Sequence, residues 1–117
     1  MLENIALIKE VHEQLATDKA QAIARKFLLN IDEEEISLKR LSACSSIEVF
    51  YVQFIRALMT KEMSIIIIAP FSLIENLGNI NDIIDKLKLI NRKKNILILD
   101  RLHNETHYEG CPCNIVK

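Results

Sequence analysis

Apolar residues recur at helical spacing along most of this chain. Between residues 2 and 29, Ile5, Ile8, Val11, Leu15, Ala22 and Phe27 share a stripe, while Lys9, Glu13, Lys19 and Lys26 lie largely off it. The pattern predicts one long helix that stops at Asn30. Asp32, with Glu35 three residues on, has the form of a capping box and predicts a second helix to about Leu41. Ser45 or Ser46 then caps a third helix to about Lys61. Its broad face of Ile47, Phe50, Tyr51, Phe54, Ile55 and Leu58 holds most of the aromatic residues and predicts the centre of the core.

The pattern changes at Ser64. Four consecutive isoleucines followed by Ala69 and Pro70 predict a short buried strand. Ser72 and Glu75 suggest another capping box, Gly78 a helix end, and Asn79 or Asn81 the cap of a further helix. That helix carries Ile80, Ile83, Ile84, Leu87 and Ile90. Periodicity leaves Asn95 to Asp100 open between a helical extension and a second strand. The expected architecture is mainly α, with one helical domain over residues 1–102 and an irregular tail over 103–117 that holds Gly110 and Pro112.

Composition narrows the class. With 117 residues, half of them hydrophobic, the chain suits a single domain that needs no disulfide or metal to build its core. Only two glycines are present, so no Gly-rich phosphate loop can be written. The net charge of -1 excludes little, because a local basic patch can still meet nucleic acid. Glu3, Lys9 and Glu10 interrupt what would be a secretory leader, and the apolar run from Ile65 to Ala69 is far shorter than the ~20 residues of a membrane span. Three cysteines (Cys44, Cys111 and Cys113) are unlike a secreted disulfide framework. A cytoplasmic protein is the expectation.

The stretch from Pro70 to Leu89 has the outline of a helix-turn-helix. Leu73 and Leu77 fill the inner positions of its first helix, Gly78 takes the turn, and Ile84 and Leu87 face inward from the second. Ile74 and Asn79 depart from the usual small and apolar residues. Lys86, Lys88, Arg92, Lys93 and Lys94 follow with no acidic residue among them, a patch suited to phosphates. An ordinary solvated helix end has the same composition, and Asp82 and Asp85 in the first turns suit the helix dipole but oppose phosphates.

Candidate chemistry lies in the tail. His103, His107, Cys111 and Cys113 are zinc-type ligands within eleven positions, and two histidines four apart share a face of an α-helix. The C-x-C spacing is tighter than in zinc fingers, so an unligated tail is the competing reading. No other cofactor is expected. Ile96 to Asp100 has the form of a Walker B strand, yet without a phosphate loop it is an apolar run ending in an acid. Cys44 reads as a small packed residue, since no base adjoins it in sequence. No pairing of base and nucleophile is visible, and a non-enzymatic binding protein is expected.

The segment Leu15-Ala-Thr-Asp18-Lys19-Ala20-Gln-Ala22, followed by Ile31-Asp-Glu33-Glu34, resembles the flagellar transcriptional regulator FlhD family. The likeness spans about residues 2–92 and needs two or three extra residues near Arg25 to Leu29. It implies a homodimer formed through the N-terminal helices. It also implies assembly with an FlhC-like subunit into a DNA-binding activator of flagellar operons. That family's zinc site belongs to the partner, so no ligand is carried over, and no subunit-linking cysteine falls within Ile65 to Ile68. The alternative is a cytosolic protein-binding adaptor or secretion chaperone that makes no DNA contact.

Overall fold

The computed structural model describes residues 2, 5–6, 16–75, 77, 80–91 and 93–108. Leu2, Ile5 and Ala6 are helical and buried. Helix α1 (Thr17–Asn30) follows Ala16, whose φ of -60° and ψ of 146° are extended. One continuous helix through residues 2–29 is therefore excluded, although the apolar stripe runs across the break. Asp18 favours a helix start here by meeting the positive end of the dipole. Ala20, Ala24 and Leu28, four residues apart, form the buried line of α1.

The junction after α1 reverses the expected role of Asp32. This residue has φ 61°, and its N–H donates to the Leu29 carbonyl at 3.0 Å while that of Glu33 donates to Leu28 at 2.9 Å. That pair of bonds is a Schellman closure: Asp32 ends the first helix rather than capping a second. Two short 3-10 turns, Glu34–Leu38 and Leu41–Ala43, take the place of the expected helix. Only Ile36 is buried in them, which gives an α-helix little face to dock.

Helix α2 (Ser46–Leu58) bears out its sequence signals. Ser45 accepts from the Glu48 N–H at 3.3 Å, and the Glu48 carboxylate accepts from the Ser45 N–H at 2.9 Å. Glu48 also meets Lys39 Nζ at 2.7 Å. The Lys39 and Ser45 hydrogen bonds hold the Glu48 carboxyl below the usual carboxylate range against the opposing effect of burial. Phe50, Tyr51, Phe54 and Ile55 are buried at the centre of the core.

Strands β1 (Ser64–Ile68) and β2 (Asn95–Leu99) pair in parallel, Ile66 opposite Leu97 and Ile68 opposite Leu99. Asn95 to Leu99 is thus a second strand and not a helical extension. The crossover contains α3 (Pro70–Leu73) and α4 (Asn81–Ile90), making a β-α-β unit inside a mainly helical protein. Parallel strands need such a crossover because a tight turn cannot join them. Pro70 suits the first turn of α3, and Ala69 before it takes a left-handed conformation with φ 48°. The expected Ser72 cap is absent, since Ser72 lies within α3 and the Glu75 N–H is bound by Ser46 Oγ instead, at 2.9 Å.

Ile83, Leu87 and Ile90 of α4 join Ile65 and Ile67 of β1 in a core shared with α1 and α2. After β2 the chain forms a 3-10 segment, Leu102–Tyr108. The irregular tail expected from residue 103 is regular up to Tyr108.

Candidate interaction surface

The sheet is covered on one face. Ile65 and Ile67 are each 7% exposed, and Ile96 and Ile98 pack against the same core. On the other face Ile66, Ile68, Leu97 and Leu99 are 57%, 64%, 54% and 48% exposed, and Leu73 stands exposed as well. The strand expected to be buried is buried on one side only. Parallel sheets are found almost always with both faces covered, so a bare aliphatic face on a parallel pair is unusual. Neither strand carries a charge. Contiguous apolar patches of this kind mark interaction surfaces. The run of isoleucines announced the strand, but nothing in it distinguished the covered face from the bare one.

The two ends of the sheet are tied by polar groups. At the amino end Lys94 Nζ donates to the Thr60 carbonyl at 2.8 Å, to Thr60 Oγ1 at 3.2 Å, and to the Glu62 carbonyl. At the carboxyl end Asp100 accepts from the Arg101 N–H at 2.7 Å, Asn104 Nδ2 at 2.9 Å and Tyr108 Oη at 2.6 Å. Burial pushes the Asp100 carboxyl up. These donors and the Phe71 backbone outweigh it and hold the group below its ordinary value. The acid at the end of the Walker B-like run thus anchors the adjoining 3-10 segment. Phe71 adds to the clasp by stacking on His107 at 4.6 Å and meeting Tyr108 edge-on at 5.3 Å.

The basic residues selected from the sequence stand in different surroundings. Lys86 Nζ bonds Glu33 Oε1 at 2.7 Å and lies 5.3 Å from the centre of the Tyr51 ring. Burial lowers its basicity, and the pairing with Glu33 more than restores it. Lys94 is held as described, Lys88 and Lys93 are exposed, and Arg92 lies outside the described residues.

The helix pair holds its assigned residues unequally. Leu87 is buried, Ile84 and Leu77 are half-buried, and Gly78 lies outside the described residues. Leu73, expected in an inner position, is 58% exposed. With only four residues, α3 makes about one turn and cannot present the spaced inner face of a full helix. The pair serves as the crossover of the β-α-β unit, and Leu87 packs into its core.

The histidines do not share a face. A 3-10 helix has three residues per turn, so positions four apart diverge by about 120°. His103 is exposed, and His107 is half-buried with its ring on Phe71. Cys111 and Cys113 lie outside the described residues. Among the described residues no group of three or more histidines, cysteines and acids could hold a metal ion. Cys44 is half-buried, its free thiol packed against the core. Among the described residues no helix is long and apolar enough to cross a membrane.

No protein-family model, curated protein or solved structure matches this chain.

Proposed function

We propose that this chain is a non-enzymatic binding subunit that works by docking a partner protein on its sheet. The observation that carries this reading is the uncharged face of Ile66, Ile68, Leu97 and Leu99 on a parallel pair of strands. Covering that face removes half-exposed aliphatic side chains from water at ~25 cal/mol per Å². The adaptor or chaperone expectation takes this form directly.

The FlhD-like expectation is a more specific version of the same reading, in which the partner is an FlhC-like subunit and the assembly meets promoter DNA. The exposure of Lys88 and Lys93 favours it, since both ammonium groups face solvent and can meet phosphates. Lys86 and Lys94 already serve ion pairs and hydrogen bonds within the chain.

The test is a capture experiment from native cytosol with and without nuclease. It compares the wild-type chain with an Ile66→Lys, Leu97→Lys variant whose fold is checked by circular dichroism. Partners that resist nuclease and are lost with the folded variant support protein docking. Capture that nuclease abolishes assigns the chain to nucleic acid instead. Equal capture by both chains sinks the proposal.

A further inference from the structure

The β1–β2 sheet has two strands, and among the described residues β1 pairs only with β2. Among the described residues the other edge of β1 therefore has no neighbouring strand. Edges like this accept added strands unless a charge, a proline or a bulge blocks them. None of these devices occurs within Ser64–Ile68. A groove beside β1 is lined by isoleucines 65–68, by Phe50 and Phe54 of α2 and by Leu73 of α3, and by no residue of β2.

The groove is apolar along its length and basic at one end. Gln53 and Ala57 line both the apolar groove and an adjoining recess, which is completed by Arg56 and Thr60. Among the described residues the buried Arg56 Nε has no hydrogen-bond partner. Arg56 lines this recess, and its guanidinium is the cationic group there. Carboxylates are its best-matched partners because the guanidinium fork meets both oxygens. The negative end of α2 lies close by, but Lys94 already donates to the Thr60 and Glu62 carbonyls just beyond it.

The order of the elements fixes the polarity. Helix α2 ends at Leu58 and β1 begins at Ser64, so Arg56 and Thr60 stand near the amino end of β1. At the other end of α2, Ser46 bonds the Glu75 N–H just beyond α3.

We propose that the free edge of β1 receives an extended segment of a partner protein, with apolar side chains over Phe50 and Phe54 and a carboxylate at Arg56. This rests on the protein-docking reading and names the partner's chemistry. Backbone hydrogen bonds to β1 supply affinity, alternate side chains fill the groove, and the acid sets register. Complementary charge selects this occupant over a second copy of the chain. Strand β1 holds no acidic residue, and a two-fold antiparallel β1 pair would bring the Ile68 end to Arg56, leaving the guanidinium unmatched.

The experiment uses the full chain labelled for amide NMR and a synthetic hexapeptide, Val-Thr-Val-Thr-Val-Asp. Comparison peptides end in an amidated Asn or carry N-methylated backbone amides. The acidic peptide is expected to bind saturably and shift the amides of residues 65–68. The amidated peptide should bind about tenfold more weakly, and N-methylation should abolish binding. Arg56→Gln should remove the preference for the acid, and Arg56→Lys should retain part of it. Equal binding of acidic and amidated peptides, shifts confined to other residues, or no saturation at millimolar peptide each overturns the proposal. Concentration-dependent shifts of residues 65–68 without peptide would assign the edge to a second copy and overturn it too. If nuclease-resistant capture through Ile66 and Leu97 persists while the edge stays silent, the docking reading survives and the edge proposal does not.

Discussion

The two faces of the β1–β2 sheet are made of the same kind of residue and meet opposite fates. Ile65 and Ile67 are buried in the core that residues of α2 and α4 share, whereas Ile66 and Ile68, one position along, face outward. A strand alternates its side chains, so a single run of isoleucine must serve both sides. The packed side is also secured at its ends, by Lys94 before β2 and Asp100 after it. The bare side has no comparable ties among the described residues. Stability therefore concentrates on one face and binding capacity on the other.

The comparison breaks most directly at neighbouring positions of β1. Ile67→Ala should cost about 2–5 kcal/mol, because a buried cavity adds to the lost transfer free energy. Ile66→Ala should change stability by no more than about 0.5–1 kcal/mol, in line with an exposed site. Urea denaturation of both variants measures the difference. Similar losses would mean that both faces are covered in the isolated chain.

The carboxyl-end tie should show in acid. Asp100 has its folded pKa depressed, so its stabilising contribution is present above the unfolded value of ~3.9. That contribution is lost as pH falls through the lower folded value. Glu48 behaves in the same way from its own unfolded value of ~4.3. Asp100→Asn should cost about 1–3 kcal/mol at pH 7 and lessen the fall in stability between neutral pH and pH 3. Thermal melts across that range provide the check, and a variant with an unchanged pH profile would separate Asp100 from the fold's stability.

A smaller effect is expected at the amino end. Lys94→Met should lose about 1–2 kcal/mol, since its charge-assisted bonds to Thr60 and Glu62 join the start of β2 to the approach of β1. Lys93→Met should stay within about 0.5 kcal/mol, as its side chain faces solvent. Equal losses, measured by thermal unfolding, would place the basic residues in one class after all.

Local signals were legible where one short segment held all its partners. The Ser45–Glu48 box started α2, and the aromatic stripe behind it identified the core. The isoleucines announced β1 for the same reason, as β-branched residues favour an extended backbone. Asp32 misled because the capping-box pattern with Glu35 does not reveal whether the residue will adopt a left-handed turn. The two histidines misled because their common face depends on 3.6 residues per turn, and the chain forms a 3-10 segment there. Leu73 matched a helix-turn-helix pattern whose first helix proved too short to bury it.

By itself the sequence determined a mainly helical single core, the position of α2 and the identity of β1, because these depend on neighbours within a few residues. Only tertiary structure decided that residues 95–99 form a strand parallel to β1, for that pairing joins segments about thirty residues apart. It also decided which isoleucines are covered, which lysines are engaged and that Arg56 Nε has no hydrogen-bond partner among the described residues. Those properties depend on what the rest of the chain places beside a residue, and side-chain type and periodicity carry no record of it.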